Sequence, residues 1–255
     1  MKNSDLKSVY DSVYKSGAYE NFFSFNPFLI HQAILNSTDW INKKVIDVGC
    51  GQGELAAMIK FAGASEVVGV DFSEEAIRIA STSINIENIS FKVQDFNDTT
   101  DVADVVVMAG ILEHIDDPFH FLDKTINNNL SNNGVIITVM PNFMNLRGMV
   151  WMTLAKLLSA PMSLTDIHFF SPTQIFEYAE SRNLLSEIIT IDNDWGNGEK
   201  MILDFKKRLP NVLNDLKIDA SGVDELLRWL DDARNYFDDS VMNGALMCCT
   251  LKKKL

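Results

Sequence analysis

The sequence predicts an α/β fold: a doubly wound, mostly parallel seven-stranded sheet with helical cap insertions. Three observations predict it. From Lys44 onward, short runs rich in β-branched residues alternate with helical runs of about 10–15 residues, the pattern of parallel strands joined by crossover helices. Runs such as Val105-Val106-Val107-Met108 are apolar without alternation, as expected of strands covered on both faces. Between the first strand and the first helix of the series, three glycines, Gly49, Gly51 and Gly53, fall within five residues.

The elements follow in order. Residues 5–16 mix polar and apolar positions at helical spacing. The aromatic stretch "YENFFSFNPF" comes next, and residues 28–36 read as a second helix. Residues 1–39 are thus expected to form an N-terminal helical flap, and residues 40–255 the main domain. "KVIDVG" is strand one, and "GELAAMIKFAG" a helix closed by Gly63. "EVVGVDFS" is strand two. "SEEAIRIASTSI" is a helix with Ser73 as N-cap and acids in its first turn. "ISFKVQDF" and "DVADVVVMAG" are strands three and four, followed by a helix over 117–129 and strand five, "GVIITVMP". Residues 143–159 are apolar and helical, and "SPTQIFEYAESRNL" is a helix capped by Ser171 with Pro172 at its first position. "SEIITID" and "GALMCCTLK" are strands six and seven. Between them "DNDWGNGEK" reads as a loop, and "GEKMILDFKKRL" and "VDELLRWLDDARNYF" as helices. Strands five and six are expected to run parallel to the rest. Insertions 142–170 and 193–242 then rise from the carboxyl edge, where such sheets bind ligands, and act as lid and cap.

Composition narrows the partners. The chain has 255 residues, 47% apolar and 22% charged, with a net charge of −13. That balance opposes a nucleic-acid partner, which needs basic surface to displace counterions from phosphates. The three cysteines, Cys50, Cys248 and Cys249, show no framework spacing and fit a reducing compartment. The first residues are polar, and no run reaches the roughly 18 apolar residues of a membrane span. A cytoplasmic protein without a transmembrane segment is expected.

The glycine turn is not built for a phosphate. A dinucleotide fingerprint needs G-x-G-x-x-G, but Glu54 stands where the last glycine belongs, and no P-loop motif is present. Asp47 before the turn and Glu54 after it disfavour a polyanion and suit a ligand with an ammonium group. Asp71 ends strand two, where a carboxylate can accept from ribose hydroxyls. Asp95 ends strand three, placed to accept from the exocyclic amine of adenine, with Phe96 offering a backbone N–H or a ring face.

With these residues the sequence resembles the class I S-adenosylmethionine-dependent methyltransferases over residues 40–191, and strand seven at 243–251 extends the likeness. "VIDVGCGQG", "VVGVDFS", "VQDF", "DVVVMAGILEHIDDP" and "GVIITVMPN" are similar to that family's successive motifs. "DIHFFSPTQIFEYAESRNL" is similar to a stretch in small-molecule members, including ubiquinone-biosynthesis O-methyltransferases. The resemblance implies a Rossmann-like sheet and S-adenosyl-L-methionine as cofactor. It implies that Gly49, Gly51 and Gly53 face the cofactor and that Asp71, with Phe72 beside it, holds the ribose. Asp95 and Phe96 would hold the adenine, and Asp47 and the backbone near Ala109 the methionine part. Some quinone-pathway relatives carry a metal-binding Glu three residues before the Glu-His pair; here that position is Gly110, and no required metal is expected.

Methyl transfer to a hydroxyl gains from a general base, and His114 and His168 are the candidates at the carboxyl edge. Against that stand structural roles: His114 orienting the turn before Asp116-Asp117-Pro118, His168 bonding lid backbone. Tyr14 and Tyr19 are candidates for contacts from the flap to cofactor and acceptor. The apolar helix 143–159 is expected in the core or in a homodimer contact. The expected activity is O-methyl transfer to a small molecule, a sugar or nucleotide-linked sugar being one example. The alternatives are a protein or lipid methyltransferase, or a non-catalytic cofactor-binding subunit.

Overall fold

The computed structural model describes residues 26–160, 166–237 and 242–254, together with Ser12. Apart from Ser12, the expected helix at 5–16 lies outside the described residues, as do the flap residues Tyr14 and Tyr19.

Helix α1 (Pro27–Leu35) leads to β1 (Lys44–Val48), α2 (Glu54–Phe61), β2 (Glu66–Asp71), α3 (Glu74–Ser83) and β3 (Ile89–Val93). Then come β4 (Ala103–Ala109), α4 (Pro118–Asn128), β5 (Leu130–Pro141) and α5 (Leu146–Leu158). The chain continues through α6 (Pro172–Ser181), β6 (Leu184–Ile191), α7 (Asn193–Asn197), α8 (Glu199–Asp215), α9 (Val223–Ala233) and β7 (Leu246–Lys253). The seven strands form one sheet in the order β3-β2-β1-β4-β5-β7-β6. Neighbours among β1 to β5 pair parallel. β7 enters antiparallel between β5 and β6, which leaves β6 parallel to β5, as expected from the sequence. The order reverses between β1 and β4, so the crevice of the sheet opens at their carboxyl ends.

Successive residues of the central strands face opposite sides of a sheet buried on both faces, which divides the core into two layers. Ile46, Val48, Val106 and Met108 face a cluster with Leu122 of α4 and Ile175 of α6. Val45, Val105 and Val107 face a cluster with Ile34 of α1 and Ile59 of α2. A third cluster joins the two insertions: Leu146 and Trp151 of α5 pack with Met201, Phe205 and Leu209 of α8 and Leu227 and Leu230 of α9. Helices α5, α8 and α9 are therefore one helical layer at the rim.

Two local readings need correction. "DNDWGNGEK" is not a loop throughout, because Asn193–Asn197 is helical. The cause is Asn197, which is buried: its amide donates to Asn193 Oδ1 (2.7 Å) and to the Asn243 carbonyl (2.7 Å), and its Oδ1 accepts from Leu146 N–H (2.9 Å). Helix α8 does not stop at Leu209 but runs through Pro210 to Asp215. A proline there removes one helix hydrogen bond, and burial of Leu209 with Val212 and Leu213 packed against the third cluster compensates.

Candidate active site

The glycine turn leaves β1 beneath the end of β2. The N–H groups of Gly49 and Cys50 both donate to the Val70 carbonyl, at 2.8 and 3.1 Å. Gly49 and Gly53 have φ of 68° and 83°, a left-handed backbone that side chains disfavour. Their missing side chains make room for the protein itself. A Cβ on Gly49 would lie 2.3 Å from Ile111 Cδ1, and one on Gly53 would lie 2.5 Å from Phe91 Cζ. Phe91 of β3 and Ile111 thus hold the turn from two sides, a role that reading the sequence missed because both are distant along the chain.

Asp71 ties two loops together. Its Oδ2 accepts from Gly51 N–H (3.1 Å) and its Oδ1 from Ser73 N–H (2.8 Å), with Phe72 half-buried between them. Asp47, in β1 between Gly69 of β2 and Val107 of β4, is only 2% exposed. Its Oδ2 has no hydrogen bond among the described residues. Burial first, and the charge of Asp71 second, push the Asp47 pKa up to about 7. Burial chiefly, with Asp47 and Asp71 adding to it, pushes the Cys50 thiol far above its ordinary value, which removes thiolate chemistry from the turn.

The acids expected to hold adenine are arranged differently from expectation. Strand β3 ends at Val93, so Asp95 lies in the loop beyond it. Asp95 accepts from Asn97 N–H (2.9 Å) and Asn97 Nδ2 (3.1 Å), capping the short 3₁₀ turn Phe96–Asp98. The Phe96 ring is 7% exposed and packs 5.5 Å from Phe121, centre to centre. The expectation of a ring face for a ligand is corrected: apolar burial commits that ring to the core, leaving the backbone N–H as its offer. Ala109 ends β4 half-buried, and Gly110 follows with φ 70°.

After β4 the turn Leu112–His114 meets the segment before α6. The Glu113 carbonyl accepts from both Ile167 N–H (2.9 Å) and His168 N–H (3.2 Å), which brings both histidine-bearing segments to one rim. Asp166 Oδ1 stands 3.4 Å from His114 Nδ1, a long contact but close for an ion pair. His168 Nε2 lies 3.3 Å from the Asp116 carbonyl, and its ring stacks on Phe170 at 5.8 Å. The backbone it meets belongs to the turn before α4, not to the lid segment expected from the sequence. Asp166 was not singled out in the sequence; its only signal was its place two residues before His168.

Glu113 is the second buried acid, 4% exposed, with Oε2 lacking a hydrogen bond among the described residues. Burial is the main cause that pushes its pKa up to about 8; its own backbone N–H opposes the shift and Asp166 adds to it. Among the described residues no group of three or more His, Cys, Asp or Glu converges as a metal site.

At the start of α5, Arg147 Nε donates to Asp204 Oδ2 (3.0 Å), and Arg208 Nη1 approaches the other oxygen of Asp204 at 3.5 Å. The Arg147 guanidinium lies 5.4 Å from the Trp195 ring centre, and that of Arg208 lies 4.5 Å from Trp151. Burial pulls the Arg147 pKa down and Asp204 opposes it; an arginine under such a balance keeps its charge.

Comparison with known proteins shows the family and the fold. A family model described as a methyltransferase domain matches residues 41–192. The ubiquinone biosynthesis O-methyltransferase of Aliivibrio fischeri (strain MJ11) is 32% identical over 108 residues, 40% of this chain and 46% of that protein. The chain thus spans about half the length of the curated relatives it matches. A chain in the complex between the Haloferax volcanii Trm112 methyltransferase activator and a methyltransferase superposes with a TM-score of 0.63 at 17% identity, covering 96% of this chain and 98% of that one. The plantazolicin methyltransferase BpumL, in complex with a monoazolic desmethylPZN analog and SAH, gives 0.54 at 18% identity, covering 95% and 89%. At these identities the structural likeness is one of fold.

Proposed function

The chain belongs to the methyltransferase domain family, matched over more than half of its 255 residues, and on that premise we propose that it transfers a methyl group from S-adenosylmethionine to a hydroxyl of a small molecule. The observation that carries this reading is Asp47, a buried carboxyl with an unsatisfied oxygen at the switch point of the sheet. Leaving such a group unmade is costly, and an ammonium from a ligand would satisfy it. The residues present fit the cofactor. Asp47 and the backbone at Ala109 would hold its methionine part, and Asp71 and Phe72 its ribose. The Gly49–Gly53 turn would lie under it, and Asp95 and the Phe96 N–H would meet its adenine. When bound, the cofactor supplies an electrophilic methyl on a sulfonium.

The chain's own task is orientation and proton removal. Fixed geometry can contribute on the order of 7–11 kcal/mol. His114 takes the acceptor's proton at Nε2, and Asp166, 3.4 Å from Nδ1, steadies the imidazolium that results. His168 braces the segment that carries Asp166. The relatives' O-methyltransferase name supports a hydroxyl acceptor.

Calorimetry tests the reading. Wild type should bind S-adenosylmethionine and not NAD, and Asp71→Ala should lose most of that affinity. S-adenosylhomocysteine release against a panel of phenols, catechols and sugars should then identify an acceptor. His114→Ala should lower its turnover by about 10²–10⁴-fold with cofactor affinity intact. Binding of NAD in preference to S-adenosylmethionine ends the proposal.

A further inference from the structure

We propose that the acceptor carries an oxyanion group, a carboxylate or a phosphate, and that the Arg147 guanidinium receives it; this rests on the methyltransferase reading above. Arg147 is in the first turn of α5, directly after β5, and so leaves the sheet at the same carboxyl edge as the glycine turn. Its side chain is 15% exposed. Among the described residues only its Nε makes a hydrogen bond, to Asp204. The terminal amino groups remain for a ligand, and their planar fork matches the paired oxygens of a carboxylate or phosphate. Asp204 from one edge and Trp195 against one face hold the plane of the fork.

Two guanidinium groups, Arg147 and Arg208, meet at one carboxylate, Asp204, in a chain whose total charge is −13. A guanidinium held at the rim offers an anion a local attraction that the acidic surface as a whole does not. A neutral acceptor that excluded water here would leave guanidinium donors unmade, which costs more than the bond itself. Position ties the cluster to the chemistry. Arg147 feels the charge of Asp166, and Asp166 is the carboxylate beside His114 Nδ1. An acceptor anchored by its anion at Arg147 therefore extends toward His114.

The test uses the whole chain saturated with S-adenosylhomocysteine and three matched probe pairs, read by calorimetry: benzoate and benzyl alcohol, 3,4-dihydroxybenzoate and catechol, phenyl phosphate and phenol. In wild type the anion of at least one pair should bind about tenfold or more tighter than its neutral partner. Arg147→Met should abolish that preference while S-adenosylhomocysteine affinity persists, and Arg147→Lys should keep only part of it. Should Arg147→Met fail to fold, the double variant Arg147→Met/Asp204→Leu removes both partners and spares the rim a buried unpaired carboxylate. Which anion binds best separates the carboxylate from the phosphate. No preference in wild type, no binding of any anion at millimolar concentration, or a preference that survives the substitution overturns the proposal. Failure of S-adenosylhomocysteine itself to bind overturns the methyltransferase reading, whereas its binding without anion preference overturns this assignment alone.

Discussion

Asp47 and Glu113 are buried acids whose folded pKa values lie near 7 and near 8, well above those of exposed carboxyls. Between roughly pH 4 and pH 8 the native state therefore holds protons that the unfolded chain has released, and stability falls as pH rises through that window. Glu113→Gln removes one of the two titrations. Urea midpoints at about pH 5 and about pH 8.5 should differ less in this variant than in wild type; an equal difference would contradict the buried-acid assignment. Ligand binding should show the opposite sign at Asp47. A cationic ligand binds its ionised form, so affinity for S-adenosylmethionine should rise with pH up to roughly 7.7, where the ligand's own amino group begins to lose its proton. Asp47→Asn should bind weakly with no such rise, and a wild-type pH profile in that variant would exclude the contact.

The same residues show what was legible in the sequence. The placement of Asp47, Gly49, Gly51, Gly53 and Asp71 at one edge of the sheet could be read because the glycine triplet is compact and each acid sits near the end of a strand of recognisable pattern. Phe91 and Ile111, which occupy the space at Gly53 and Gly49, could not, because nothing local to either announces a partner so far along the chain. Asp166 escaped for the same reason: its meaning comes from His114, which α4, β5 and α5 separate from it along the chain.

Among the elements, the helices with caps were the most readable. Ser73 accepts from Ala76 N–H, and Ser171 with Gln174 forms a reciprocal capping box, as their sequence positions indicate. The rim helices were harder, since α7 is held by amide bonds from Asn197 and α8 passes through a proline on the strength of its packing. That packing centres on Trp151, fully buried against Phe205 at 5.6 Å. Trp151→Ala should cost about 3–5 kcal/mol, confined to the rim layer. Hydrogen exchange should speed in α5, α8 and α9 while β1, β2 and β4 stay protected. Uniform loss of protection would mean that the rim and the sheet unfold as one.

Across the whole molecule, the candidate ligand residues come from the ends of β1, β2, β3 and β4, and Asp71 already links the loops after β1 and β2. A ligand resting on all of them stabilises the sheet rather than one loop. S-adenosylmethionine at 100 times its dissociation constant should add about 2.7 kcal/mol to unfolding, visible in calorimetry and in exchange from both core layers. Stabilisation confined to the rim helices would place the ligand elsewhere.

The insertion between β6 and β7 begins and ends at one spot: Ile191 pairs directly with Leu246, and Ala245 N–H reaches back to the Asp192 carbonyl at 3.2 Å. A segment whose two feet stand on adjacent rungs can be lifted out and replaced with little strain on the strands beneath. Transplanting such a segment from a relative, with α5 matched to it, would then retune which molecules are accepted while the donor half keeps its affinity, so that diversification of this scaffold needs no redesign of its foundations.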